Sequence, residues 1–208
     1  EAARLAGVER VVFASSSSVY GARDASAVPF RESDPCVRPA SPYAATKRAG
    51  ELVCSNYRDL FGIGIIALRY FTVYGPRQRP EMAIHKFASA ISRGEPVTLF
   101  GDGGSARDYT YIDDIVDGTL AACLAVRPGD FAIYNLGGSR TTTLKTLVDL
   151  VERALGKPAT RVWEPDQPGD VPITFADVTL ASQALKYAHK VAIEEGIARF
   201  VDWYRREK

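Results

Sequence analysis

Val11-Val12-Phe13-Ala14 is a continuous apolar run between Gly7 and four serines, Ser15 to Ser18. Such a run predicts a strand covered on both faces, as in a parallel sheet. Ile63 to Tyr70 is apolar almost throughout and predicts a second strand of the same kind, and Ala132 to Leu136, ending at Gly137-Gly138, predicts a third. Between the first two, Ser41-Pro42 is a helix start, with Ser as N-cap and Pro in the first turn. The helix is expected from Tyr43 to Leu60, with Gly62 as its stop. Strand, long helix, strand is a βαβ unit. Residues 21–42 and Phe71 to Pro80 read as loops, and EAARLAG reads as the end of a helix closed by Gly7.

Further along, the pattern predicts a helix from Met82 to Ser92, a short strand Val97-Thr98-Leu99-Phe100, and a turn at Gly101-Asp102-Gly103-Gly104. Tyr109-Thr110-Tyr111 is extended, and Asp113 or Asp114 is expected to cap a helix running to Val126. Leu144, Leu147, Val148, Val151 and Leu155 fall at helical spacing and predict an amphipathic helix from Thr143 to Leu155. Two more helices, Leu180–Tyr187 and Ile193–Arg205, complete the pattern. The class is α/β. The parallel sheet is expected from residues near 9–15, 63–70 and 131–136.

Composition narrows the function classes. The 208 residues are 46% hydrophobic and 25% charged, as in a soluble globular protein. A net charge of +1 gives no global attraction to nucleic acid or to an acidic membrane, so anion recognition has to be local. No apolar run reaches the ~20 residues of a membrane span. Cys36, Cys54 and Cys123 are odd in number and lack metal-ligand spacing. They read as buried or idle thiols in a reducing cytoplasm. His85 and His189 are isolated, so a structural role is expected of both and no metal site. Trp163 and Trp203 read as packing residues.

The chemistry starts with Tyr43 and Lys47, at i and i+4 on one helix face. A phenol titrates near pH 10 in water, too high for a base at neutral pH. A cation beside it favours the phenolate, so Tyr-x-x-x-Lys is a sensible general acid/base pair for hydride chemistry on an alcohol. By itself the pattern is common on helices. The serines at the C-terminal end of the preceding strand strengthen it, because ligands of open α/β sheets bind at that edge. A serine hydroxyl there can bond a substrate oxygen, while others of the four cap turn backbone.

SSSSVYG, SPYAATK, LRYFTVYGPRQRPEM and GDGGSARDYTYIDDIVDG stand in the order found in extended short-chain dehydrogenases. The chain resembles their NAD-dependent nucleotide-sugar epimerase and dehydratase family, and QPGDVPITFADVTLASQAL extends the likeness almost to the end. The resemblance implies the C-terminal part of a Rossmann-like parallel sheet with a smaller α/β substrate-binding lobe. The nucleotide-binding part would be 1–75 and 103–138, the lobe 76–102 and 139–208. It implies NAD as cofactor, a UDP-sugar as substrate, and a homodimer through the Tyr43–Leu60 helix. The family triad falls on Ser16, Tyr43 and Lys47, with Ser17 the alternative if the loop differs by one residue. Tyr70, Phe71 and Thr72 match the segment against nicotinamide and sugar. Phe100 matches the residue covering the uracil, Arg107 a diphosphate-binding arginine, and Asp170 the ribose-binding acid. Gln167 stands where many relatives carry a second phosphate-binding arginine.

Within the family, 4,6-dehydratases carry an Asp-Glu pair where this chain has Ser17 and Ser18, and the glutamate of decarboxylating relatives is absent too. That leaves 4-epimerisation. GPRQRPEMA resembles the UDP-glucuronate 4-epimerases, which implies Arg79 on the sugar carboxylate, with Lys86 as a second cation. An arginine fork suits a carboxylate. The alternatives are a UDP-glucose/UDP-galactose 4-epimerase and a nucleotide-sugar-binding module without catalysis. No glycine-rich strand-to-helix turn for pyrophosphate precedes Ser15, and Gly101-Asp102-Gly103-Gly104 opens no βαβ unit. The sequence therefore reads as the C-terminal portion of something longer.

Overall fold

The structure is a computed structural model and describes residues 1–22, 26, 28–166 and 171–207. A short α1 (Ala2–Leu5) leads into β1 (Arg10–Ser16), a 3-10 turn at 17–20, α2 (Pro42–Phe61) and β2 (Gly64–Tyr70). β1 and β2 are parallel, paired from Arg10 opposite Gly64 to Ser16 opposite Tyr70. β7 (Phe131–Leu136) lies parallel on the other side of β2, ending with Leu136 opposite Tyr70. The sheet order is β1-β2-β7. The three strands expected from the apolar runs thus form one parallel sheet, which brings Ser16, Tyr70 and Leu136 to one edge.

α2 begins where Ser41 and Pro42 predict it. The Ser41 hydroxyl accepts from the Ala44 N–H, and Pro42 occupies a position that needs no donor. It ends at Gly62, whose left-handed φ of 68° a side chain would strain. Gly50 sets how closely the helix lies on the sheet, because a Cβ there would fall 2.4 Å from the Phe13 ring. The opposite sheet face carries Ile66, Leu68 and Leu136, packed with Ile115 and Ala122 of α4 (Ile112–Ala125) and Leu185 of α6 (Thr179–Leu185).

A second core joins α3 (Ala83–Arg93), α5 (Leu144–Leu155) and α7 (Ile193–Arg206) through Ile84, Phe87, Leu147, Val151, Ile197 and Phe200. Beside it, β4 (Val97–Phe100) pairs in parallel with β9 (Arg161–Glu164). β3 (Thr72–Tyr74) pairs with β6 (Tyr109–Tyr111), and β5 (Ala106–Arg107) with β8 (Thr142–Thr143).

Some expectations change. β3 occupies part of the segment read as loop, because pairing with β6 supplies backbone partners that a local pattern does not display. α4 is capped at Tyr111 without a side-chain bond, not at Asp113 or Asp114. The Asp114 carboxylate is buried and accepts instead from the Lys190 and Val191 N–H groups. Trp203 packs on the second core, but Trp163 is 45% exposed at the β4–β9 pair. Cys36 is buried and Cys123 exposed. Among the described residues no helix is long and apolar enough to cross a membrane.

Candidate functional site

A cavity of about 560 Å³ opens at the C-terminal edge of the parallel sheet. Ser15 and Ser16 line it from the end of β1, Ser17 from the 3-10 turn that follows, and Tyr43 from the start of α2. Tyr70, Phe71, Thr72 and Val73 line it from the end of β2 and the start of β3. Arg77, Gln78, Arg79 and Met82 form the far wall. This position follows from topology, since the strand ends splay there and the connecting loops surround the gap.

The four serines divide by the faces they point to. Ser15 is buried and its hydroxyl donates to Glu51 on α2 at 2.6 Å. Ser16 Oγ accepts from the Ser18 N–H at 3.2 Å and from the Ser18 hydroxyl at 2.9 Å, which leaves its own proton to donate elsewhere. Tyr43 is 57% exposed. Lys47 is anchored, with Nζ donating to the Ala14 carbonyl at 2.8 Å and lying 5.6 Å from the Tyr43 ring centroid. A cation is therefore held beside the tyrosine by a backbone oxygen of the strand end. Tyr70 contributes ring surface, since its hydroxyl is paired with Thr119 on α4 at 3.0 Å and burial raises its pKa.

The loop between β3 and α3 presents the arginines. Arg79 is 75% exposed and its Nε lies 3.3 Å from Glu81. Arg77 has a left-handed backbone, φ 63°, an uncommon state for a residue with a side chain. Gln78 ties the loop down, with its Nε2 donating to the Val73 carbonyl at 3.2 Å and its own carbonyl 2.9 Å from His85 Nδ1. The His85 ring packs edge-on against Phe200, Trp203 and Tyr204, in keeping with a structural role.

A second cavity of about 260 Å³ is lined by Lys86, Phe100, Ser105, Arg107 and Tyr109, with Glu81 at its margin. Lys86 thus stands with Phe100 and Arg107, apart from Arg79, although Glu81 joins the two walls. The Arg107 guanidinium donates to the Ala106 carbonyl at 3.1 Å. Gln167 and Asp170 lie outside the described residues. Among the described residues no cluster of three His, Cys, Asp or Glu side chains could hold a metal ion.

Sequence reasoning missed Arg77, Gln78 and Met82 as wall residues, and the ion pair beneath the sheet edge. Arg69 Nε and Nη2 donate to the two Glu51 oxygens at 2.8 and 2.9 Å, with both side chains buried. One signal was available: Arg69 interrupts an otherwise apolar strand, and a charge inside a buried strand requires a partner. Burial alone would push the Glu51 carboxyl up, but the bonds from Arg69 and Ser15 outweigh it and hold the pKa below the usual value. Asp108 is also buried, which raises its pKa even though the N–H groups of Gly138, Ser139 and Ala176 donate to its carboxylate.

The model of the NAD dependent epimerase/dehydratase family matches residues 1–137. The chain is similar to the UDP-glucuronate 4-epimerase of Thermodesulfobacterium geofontis, 41% identical over 198 residues, covering 95% of this chain and 59% of that protein. Among solved structures it is similar to the UDP-glucuronic acid 4-epimerase of Bacillus cereus in complex with UDP-glucuronic acid and NAD. That likeness has 36% identity and a TM-score of 0.88, over 96% of this chain and 62% of the other. It is also similar to the UDP-glucose 4-epimerase of Thermotoga maritima with UDP-glucose, at 32% identity and a TM-score of 0.91, over 99% of this chain and 66% of that one. In each case this chain spans about two thirds or less of the other's length. The chain belongs to the NAD-dependent epimerase/dehydratase family.

Proposed function

We propose that the chain supplies the acid/base and sugar-binding residues of an NAD-dependent nucleotide-sugar 4-epimerase, with UDP-glucuronate as its substrate. The observation that carries this reading is one cavity bringing Ser16, Tyr43, Thr72 and Arg79 together beside an anchored Lys47. Tyr43 takes the proton of the sugar C4 hydroxyl and returns it once the 4-keto ring has turned its other face. Lys47, anchored on the Ala14 carbonyl, places its ammonium beside the tyrosine. Ser16 donates its free proton to the C4 oxygen. Arg79 holds the C6 carboxylate, releasing Glu81 to do so. The second cavity takes the nucleotide, with Phe100 on the base and Arg107 and Lys86 on the diphosphate.

The residues present fit the nicotinamide end of NAD. Tyr70 offers ring surface at the strand edge, with the Phe71 ring buried against Tyr20 and Phe30, and the Lys47 ammonium, held at the Ala14 carbonyl, would hold a ribose hydroxyl. NAD, when bound, supplies the reversible hydride acceptance that oxidation at C4 requires. No glycine-rich turn for the pyrophosphate occurs in the sequence.

A second reading has its own support. Arg79 is already paired with Glu81, and a neutral UDP-hexose would leave that pair in place. The test is to incubate full-length protein containing residues 1–208, and its Tyr43→Phe variant, with NAD and either UDP-glucuronate or UDP-glucose. UDP-galacturonate should form, and Tyr43→Phe should cut turnover about 10²–10⁴-fold, the range for one general acid/base. UDP-galactose as the faster product would favour the second reading. No C4 isomer of either, with substrate bound, would make the protein a binding module.

A further inference from the structure

We infer that a buried polar ladder beneath the sheet edge positions the Tyr43–Lys47 pair by fixing the rotation of α2, an inference that rests on the acid/base role proposed for that pair. Ser15, Arg69 and Asn135 occupy adjacent register positions on β1, β2 and β7. They are 2%, 2% and 0% exposed. Each lies one residue before the edge positions Ser16, Tyr70 and Leu136. Side chains alternate along a strand, so this row projects onto the face opposite Leu68 and Leu136, where α2 lies.

Glu51 of α2 reaches into the row. It receives Ser15 at 2.6 Å and the two-pronged Arg69 at 2.8 and 2.9 Å, while Arg48 from its own helix closes the free side at 3.0 Å. The row continues away from the helix. The Tyr20 hydroxyl donates to Asn135 Oδ1 at 2.7 Å, and the Arg69 guanidinium stacks on the Tyr20 ring at 4.8 Å. Asn135 Nδ2 donates to the Phe30 and Asp177 carbonyls, tying the row to two loops.

Apolar contacts between a helix and a sheet allow the helix to slide and roll, whereas a fork donating to both oxygens of one carboxylate accepts a single orientation. A buried ion pair adds little net stability against apolar residues of similar volume, so what this one contributes is geometry. Tyr43, Lys47 and Glu51 recur every four residues and share one side of α2. Glu51 therefore sets the direction in which Lys47 leaves the helix, and Lys47 meets the Ala14 carbonyl, the residue next to Ser15. Gly50 lets the helix come close enough for the pair to form.

The test uses full-length protein containing residues 1–208. In the double variant Glu51→Leu/Arg69→Met, apolar residues of similar volume replace the pair and leave no buried charge alone. We expect kcat for the UDP-sugar to fall roughly 10- to 100-fold, the scale of a misplacement near 1 Å, with KM within about twofold of the parent's. A crystal structure of this variant should have Lys47 Nζ withdrawn from the Ala14 carbonyl. A folded double variant with the parent's kcat, or one whose α2 and Lys47 stay in place, overturns the inference. If that variant does not fold, Ser15→Ala, which removes one bond to Glu51, decides by the same ratio: a several-fold lower kcat at constant KM supports the ladder, and no change overturns it. Should the parent protein epimerise no UDP-sugar, the functional reading fails by itself, and the position of Lys47 in the variant structures alone decides the inference.

Discussion

In the function proposed above, Arg79 carries the choice of substrate. Oxidising C4 of a glucuronate makes a ketone β to the C6 carboxylate, and such an acid loses CO2 when its C–CO2 bond aligns with the carbonyl π system. An epimerase has to hold the carboxylate out of that alignment while the ring turns. A guanidinium fork fixes both oxygens in one plane, and a lysine, as a point charge, does not. Arg79→Lys should therefore raise KM for UDP-glucuronate about 10-fold, near the lower end of what a charged hydrogen bond contributes. It should also release UDP-pentose, detectable by chromatography of the products. Unchanged KM with no pentose would remove Arg79 from the carboxylate. At this scale the meeting of Ser16, Tyr43 and Lys47 at one sheet edge was foreshadowed by Tyr-x-x-x-Lys and the serine cluster, which are local patterns. The roles of the individual serines were not, since the partners of Ser15 and Ser16 depend on which face each one meets in the fold.

Among the elements, α2 was the most legible. Its cap, its proline and its terminal glycine are chemical signals within one stretch of chain, and the observed Pro42–Phe61 differs from Tyr43–Leu60 only at the ends. Its inner side faces the sheet. Its outer side leaves Leu52, Val53 and Leu60 exposed, and Val53 and Leu60, seven residues apart, share a stripe. We propose that a second copy of the chain covers this stripe, as the family resemblance implies. Sedimentation velocity should give a dimer for the full-length protein and a monomer for Val53→Glu/Leu60→Glu at the same concentration. A parent that sediments as a monomer would refute the dimer. β3 and β9 were not legible, being three or four residues long and held by strands remote in sequence.

Across the whole molecule, the Glu51–Arg69 pair joins α2 to the sheet, so its titration is felt by the entire fold. The folded Glu51 carboxyl titrates below its usual value of 4.5, because the bonds from Arg69 and Ser15 outweigh its burial. Between the folded and unfolded values the unfolded chain binds the extra proton, so this stabilisation is complete above about pH 4.5 and is lost as pH falls through the folded value. Glu51→Gln strands the Arg69 charge and should cost on the order of 3 kcal/mol at neutral pH. Its urea midpoint should lie well below the parent's at pH 7, and the two should converge in acid. Midpoints that stay equally far apart at pH 3 would show that the carboxylate charge does not contribute. The sequence by itself determined the class, the three parallel strands and the long helix, because each depends on periodicity or on groups a few residues apart. Only the tertiary structure decided that Ser15, Arg69, Asn135 and Glu51 form one buried network, that Lys86 stands with Phe100 and Arg107, and that Arg77 and Gln78 wall the cavity beside Arg79. Those are meetings between strands, helices and loops far apart in the chain, and strand register and helix rotation, which no local pattern encodes, bring them about.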